Sequence, residues 1–260
     1  MIASARLLVV SSIFTYRALF SWLNPASYVA EKMLFPVVQM TFFALLGKYG
    51  AAQPLDFYLV GNALLVAYQA TFTVANAVGD ERWQGTLQYV VASPANRAIV
   101  FFGRGVGHAL DGTLTIVVAF LIALLYGLDL SHANVAGLAA AIFVASFSAT
   151  AFGLFLGAAA YLVLDANFLA NLAMFVLLLL TGTNVPLSDL PPFLSPVSQI
   201  LPLTRSVAAA RMLATGGAFA DAIPLIAQDV VIGALWGVAG LVLFGWLEVQ
   251  ARRRGTLEGF

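Results

Sequence analysis

Few side chains in this chain could carry out chemistry. It has no cysteine, and its two histidines, His108 and His132, fall at opposite ends of one apolar segment. Neither an H-E-x-x-H zinc motif nor a G-x-S-x-G nucleophile motif occurs. The phosphate-binding pattern G-x-x-x-x-G-K-[ST] is also absent, so the chain has no P-loop for ATP. The sequence therefore predicts a protein that is not itself an enzyme and that holds no metal or cofactor of its own.

Two carboxylates, Asp111 and Asp229, fall well inside apolar segments. A general acid–base pair would need both at one depth, but Asp111 comes near the inner end of its segment and Asp229 nearer the outer end of its own. An ionisable residue inside a membrane suggests function, and a salt bridge or water contact near the interface is the other interpretation of Asp111. If both acids served transport, the chain would be an ion-coupled carrier, which is one alternative function.

Uncharged polar side chains recur every seven residues in another apolar segment. Asn62, Gln69 and Asn76 would lie on one narrow helical stripe, with Thr73 beside it. Amides in lipid need partners, so this stripe predicts either a substrate pathway or a packing face between helices or subunits.

The elements that must position these residues are membrane helices. Hydrophobic residues make up 62% of the chain and charged residues only 9%, whereas soluble domains carry about 25% charged residues. Lipid must therefore be the main solvent of this surface. The formal net charge of zero argues against a nucleic-acid partner.

Six segments predict transmembrane helices, so the fold class is an all-α integral membrane protein. They cover about residues 27–46, 57–78, 106–128, 135–164, 168–185 and 222–247. Before them, residues 1–26 predict an interfacial helix that ends at Asn24-Pro25. Lys32 falls at the inner interface, where its amine can snorkel to water.

The distribution of basic residues orients these helices. With six spans both termini lie on one side, and nine of the 12 Lys and Arg residues then share that side with residues 79–105. These nine are Arg6, Arg17, Lys32, Arg82, Arg97, Arg104, Arg252, Arg253 and Arg254, against Lys48, Arg205 and Arg211. The positive-inside rule then predicts that both termini lie on the cytosolic side of a plasma or inner membrane.

Two connections stand out from ordinary loops. Residues 79–105 form a long polar interval with a short predicted helix in it, and they are either a plain loop or a cytosolic lever moved by a partner protein. Residues 186–214 lie on the outer side, yet they are largely apolar and rich in proline. Two short helices at about 189–198 and 203–214, dipping into the outer leaflet, would fit this composition.

The polar interval resembles ABC-2 type transporter permeases, the membrane subunits of ATP-binding cassette exporters. Glu81, then Gly85-Thr86-Leu87, Ser93-Pro94 and Arg97 match an E-x-x-x-G-T-L-x-x-x-x-x-S-P-x-x-R pattern. The family often has an acidic residue where this chain has Gln88. The outer loop is similar to the paired re-entrant helices of that family, through Pro186, Leu190, Pro191, Leu194, Leu201, Pro202, Leu203 and Arg211.

The resemblance implies one transmembrane permease domain over residues 1–260 that works with an ATPase subunit and a second permease, identical or different. ATP and magnesium would bind to the ATPase. A coupling helix would transmit the ATPase's movement through Glu81, Arg82, Trp83, Gln84, Gly85, Thr86, Leu87 and Gln88. The outer gate would comprise Leu190, Pro191, Leu194, Pro202 and Arg211. The implied substrate is an amphiphilic drug-like or lipid-like molecule, with a lipid-linked glycan as the alternative.

This topology can be tested by labelling, because the chain has no native cysteine. A cysteine introduced at Ser93 should react only with reagent in the cytosol, and one at Ser188 only with reagent added outside. The cysteine-free chain supplies the background. Equal labelling of both positions from outside would exclude the six-span arrangement.

Overall fold

The computed structural model describes residues 6–7, 9–13, 25–50, 53–83, 97–163 and 166–254, and it contains no strand in these ranges. Residues 6–7 and 9–13 are helical, while the rest of the predicted interfacial helix before Pro25 lies outside the described residues. The helices are α1 (Pro25–Tyr49), α2 (Leu55–Leu65), α3 (Tyr68–Trp83), α4 (Arg97–Leu125), α5 (Val135–Val163), α6 (Ala166–Leu180), α7 (Ser195–Ile200), α8 (Thr204–Ala214) and α9 (Phe219–Arg254), with a 3-10 turn at Leu187–Asp189.

Within the described part of the chain, five stretches are long and apolar enough to cross a membrane. They are Ala26–Tyr49, Leu55–Ala77, Phe102–Leu125, Val135–Val163 and Phe219–Leu247. The fifth predicted span, 168–185, is shorter than expected, because α6 ends at Leu180. Its 15 residues cover about 22 Å, which is less than the ~30 Å hydrocarbon core. Gly182 has a φ of +78° that a continuing helix cannot contain, and Pro186 follows it.

The second predicted span is two helices rather than one. Helix α2 ends at Leu65, and α3 begins at Tyr68. The amide of Ala67 donates to the carbonyl of Leu64 at 2.9 Å, and the amide of Gln69 donates to that of Val66 at 2.9 Å. These are three-residue bonds of the 3-10 type, which often mark a hinge inside a helix. The break contains neither proline nor glycine, so the sequence carried no signal for it.

Helix α5 is the axis of the bundle, packing against α3, α4, α6, α8 and α9. Small residues let the backbones approach closely. A Cβ at Gly153 would lie 2.6 Å from the carbonyl oxygen of Thr71, and one at Gly240 would lie 2.9 Å from the Cα of Phe155. In lipid, such close van der Waals packing replaces the hydrophobic effect as a cause of helix association.

The outermost helices are α1 and α9. Only 24% of the α1 span and 28% of the α9 span are buried inside the chain, against 72% of the α5 span. Their remaining apolar surface must therefore meet lipid or another protein chain.

The contact between α3 and α5 gives a stability prediction. Gly153→Ala should push the two helices apart, since every close neighbour of its new Cβ is backbone of Thr71. We expect a loss of about 1–3 kcal/mol, as for other overpacked sites, seen as a lower midpoint in thermal unfolding followed by size-exclusion chromatography. Gly245→Ala in α9 is the matched control, because a Cβ there meets nothing within 4 Å. An unchanged midpoint for Gly153→Ala would contradict the tight α3–α5 contact.

Candidate functional site

An ion pair buried inside the bundle joins α1 to α4. Lys32 Nζ lies 2.5 Å from Asp111 Oδ2, and the two side chains are only 10% and 4% exposed. The Tyr28 hydroxyl donates to the other carboxylate oxygen, Oδ1. Of the two interpretations of Asp111, the structure therefore shows the salt bridge. The expectation that Lys32 snorkels to the inner interface is wrong, because its amine points inward to a carboxylate.

His108 lies one helical turn before Asp111 and is 1% exposed. Neither ring nitrogen has a hydrogen-bond partner among the described residues. His132, by contrast, lies in the loop after α4, so the two histidines share no site.

A second polar cluster surrounds Asp229 in α9, whose side chain is fully buried. The hydroxyl of Ser148 in α5 donates to Asp229 Oδ2 at 3.1 Å, and the hydroxyl of Ser206 in α8 donates to the same oxygen. Ser206 is the third residue of α8, so the carboxylate lies at the positive end of that helix. Leu203, just before this end, has a φ of +71°, which is a strained conformation for a leucine.

The two acids lie at similar depth, which corrects the expectation of mismatched depths. Ser146 donates to the carbonyl of Ala109 in α4, and Ser148 donates to Asp229. Two residues of α5 span about 3 Å, so the levels of Asp111 and Asp229 differ by no more than about one turn. They nevertheless form no acid–base pair, because each carboxylate bonds to its own partners on a different side of α5.

The amide stripe is divided by the helix break. Above it, Asn62 is buried, and its Nδ2 donates to Asn184 Oδ1 at 2.8 Å and to the carbonyl of Tyr58 at 2.9 Å. Below it, Thr73 donates to the carbonyl of Gln69 and Asn76 to that of Phe72, one turn back in their own helix. Thr73 and Asn76 are half-buried. Asn62 therefore joins two segments of this chain, whereas the bonds of Thr73 and Asn76 to described residues stay within α3.

Arg211 in α8 joins the start of α2 to the residues that follow α6. Its Nη2 donates to the carbonyls of Phe57 at 2.9 Å and Thr183 at 2.8 Å, and its Nη1 donates to that of Gly182 at 2.7 Å. The guanidinium also stacks 3.5 Å from the centre of the Phe57 ring. Burial lowers the pKa of Arg211 to about 10, so it remains charged at neutral pH. Its charge thus stabilises the carbonyls that follow the end of α6.

The other predicted gate residues lie in the same outer segment. Leu190 and Pro202 are buried, Leu194 is half-buried and Pro191 is exposed. The helix predicted at 203–214 corresponds to α8. The one predicted at 189–198 is wrong in extent, because Pro191 and Pro192 separate the 3-10 turn Leu187–Asp189 from α7. How deeply this segment enters the bilayer stays a prediction.

The coupling stretch is described only at its start. Glu81, Arg82 and Trp83 lie in the last turn of α3, so span two continues as helix into the polar interval. Gln84, Gly85, Thr86, Leu87 and Gln88 lie outside the described residues. Their proposed role in coupling stays a prediction.

Comparison with known protein families decides the assignment. The family model of the ABC-2 type transporter matches residues 10–214. The chain belongs to the ABC-2 type transporter family. It is therefore a multi-pass membrane permease component of an ABC transporter and not its catalytic ATPase. No curated protein matches the chain.

The family match covers only part of the fold of this ABC-2 permease. It includes both the polar interval 79–105 and the outer segment, and it ends at Ala214, where α8 ends. Helix α9, with Asp229, lies outside the matched residues. The family resemblance therefore gave no indication of the contact between Asp229 and α8.

The buried ion pair of this permease gives a second stability prediction. Lys32→Met alone or Asp111→Leu alone leaves an unpaired charge in the bundle, which should cost about 3–5 kcal/mol. The double variant removes both charges and should recover most of the loss, because apolar replacements of a buried pair are often neutral. Thermal unfolding in detergent would measure all three.

Lys48→Met is the matched control for this cycle, since Lys48 is an exposed lysine at the other end of α1. It should leave the unfolding midpoint unchanged. If the double variant is as unstable as the sum of the single variants, the ion pair is not what joins α1 to α4.

Proposed function

We propose that this permease exports an amphiphilic drug-like or lipid-like substrate across the plasma or inner membrane, driven by a separate ATPase subunit. The observation that carries this proposal is the family match over residues 10–214, which includes both the polar interval and the outer segment. A lipid-linked glycan is the alternative substrate class. Both chain ends lie in the cytosol in this proposal, as the distribution of basic residues favours.

A continuous mechanical path supports coupling between the two ends of span two. Helix α3 runs without interruption from Tyr68 to Trp83, at the start of the proposed coupling stretch. Above the break at Val66–Ala67, α2 is tied through the carbonyl of Phe57 to Arg211. A movement imposed on Trp83 by the ATPase would thus reach the outer clamp through α3, the break and α2.

The ATPase can drive this movement only if its ATP-bound form prefers one conformation of the permease. The half-buried Thr73 and Asn76 are placed to contact a substrate or a second permease in such a cycle. Among the described residues they bond only within their own helix, which leaves polar capacity for a weak contact with a passing amphiphile. The exposed face of α1 offers the apolar area that a second permease subunit would need.

The coupling role can be tested on the complex of permease and ATPase. The permease alone should show no ATP hydrolysis, and co-expressed ATPase should copurify with it. Leu87→Ala or Gly85→Trp should weaken that complex by at least about 30-fold, since a buried anchor is often worth 2 kcal/mol or more. Pull-down and substrate-stimulated hydrolysis in reconstituted membranes would measure the effect.

Leu125→Ala provides the control, because Leu125 lies at the outer end of α4 and is 85% exposed. This variant should bind and stimulate the ATPase normally. Wild-type binding and stimulation in both Leu87→Ala and Gly85→Trp would mean that residues 79–105 are an ordinary loop. ATP hydrolysis by the purified permease alone would reject its role as a subunit without its own ATPase site.

A further inference from the structure

A groove runs along α9 where the end of α7 and the start of α8 pack against it. Its volume is about 590 Å³, which is within the range of small-molecule sites. The wall is mainly apolar, formed by Ile200, Val231, Ile232, Leu235, Trp236 and Ala239. Trp236 is fixed there, since its indole nitrogen donates to the carbonyl of Ile200 at 2.8 Å.

The groove opens toward the bilayer. Val231 is 57% exposed and Leu235 is 64% exposed, and both belong to the span Phe219–Leu247. From the level of Ala227 to that of Ala239 the groove extends along α9 for about 18 Å, at 1.5 Å per residue. An elongated apolar space of this kind, facing hydrocarbon, suits an acyl chain.

One end of the groove is polar and carries a positive charge. Arg205 Nε donates to Gln228 Oε1 at 2.7 Å, and Nη2 donates to Gln199 Oε1 at 2.9 Å. Nη1 donates to the carbonyl of Gln199 at 2.5 Å. All three acceptors are neutral, and in the described ranges no carboxylate lies within 4.0 Å of this guanidinium. Two of its five N–H groups remain for a further acceptor.

Arg205 lies a short distance inside the hydrocarbon, below the level of the phospholipid phosphates. The α9 span has 29 residues, about 43 Å, and exceeds a ~30 Å hydrocarbon core by about 13 Å. If the span is centred, Gln228 lies about 7 Å inside the hydrocarbon. A cation held there gains from an anionic partner, and the phosphate of a lipid whose chain fills the groove reaches it when the Arg205 side chain snorkels or the bilayer thins locally.

We propose that this groove binds one anionic phospholipid of the leaflet on the α8 side, with its phosphate at Arg205 and an acyl chain along Trp236. The phosphate gives Arg205 a direct anionic partner, whereas the carboxylate of Asp229, which interacts with its charge, lies more than 4.0 Å away. The lipid also fills the space between α9 and the α7–α8 segment. The site is separate from the coupling stretch and does not depend on the ATPase.

Trp236 provides the probe for a direct test. The intact permease is placed in nanodiscs that mix phosphatidylglycerol with phosphatidylcholine, with bromine on the acyl chains of either one or the other. Bromine quenches tryptophan on contact, and the difference between the wild type and Trp236→Phe isolates the signal of Trp236. We expect brominated phosphatidylglycerol to compete for this position about tenfold better than brominated phosphatidylcholine.

Arg205→Gln keeps a hydrogen-bonding side chain but removes the charge. The preference for phosphatidylglycerol over phosphatidylcholine, expressed as a ratio, should therefore fall close to one. Lys48→Gln removes an exposed charge on the same side of the predicted topology, and the preference should remain. Ala227→Phe, within the groove, should reduce quenching by both lipids, whereas Ala234→Phe, exposed on α9 outside the groove, should not. Size-exclusion chromatography confirms that each variant is folded.

Two results would overturn the proposal. Equal quenching by the two brominated lipids in the wild type would mean that the groove is ordinary lipid-facing surface without selectivity. Absence of quenching by either lipid, together with a disulfide between two chains carrying Val231→Cys, would mean that a second copy of the chain covers it.

Discussion

A charged or hydrogen-bonding group inside a bilayer cannot bond to water, so it must find its partners within the protein. This constraint determines how the helices of the bundle pack. Lys32 and Asp111 satisfy it by pairing with each other, and this pair joins α1 to α4. Asp229 satisfies it at Oδ2 through Ser148 and Ser206, while its Oδ1 has no hydrogen-bond partner among the described residues. Each buried acid thus selects which helices must be neighbours, because a carboxylate without its partners would cost several kcal/mol.

The same constraint explains the use of small residues along α5. Since lipid tails are as apolar as leucine, burying leucine between helices gains little, and close backbone approach must supply the attraction. Gly153 against Thr71 and Gly240 against Phe155 show this on two sides of α5. Serines and threonines on the same helix, such as Ser146 and Ser148, then bond across the narrow gaps to α4 and α9.

Span two has an unbroken helix on one side of its 3-10 break and, on the other side, a helix that is held by Arg211. Helix α3 extends to Trp83, the 3-10 bonds at Val66–Ala67 interrupt it, and Arg211 fixes the carbonyl of Phe57 above. The clamp uses neutral carbonyls rather than an acid. Such bonds can be exchanged for others of similar strength when helices move, as the proposed coupling movement would require.

The sequence by itself determined the solvent, the helical class and the family. A chain with 62% hydrophobic residues and long apolar segments requires a lipid environment. A local motif such as Gly85-Thr86-Leu87 can be recognised without any knowledge of tertiary contacts. Most helix positions followed from the same local signals, and errors arose where they were ambiguous, as at the short α6 and the helix predicted at 189–198. Only the tertiary structure decided the partners: the pairing of Lys32 with Asp111, the common depth of the two acids, the break in span two and the clamp of Arg211. These features depend on which helices pack together and on the relative height of each along its neighbour. Lys32 and Asp111 are 79 positions apart in the chain, so no local sequence pattern indicates that they meet.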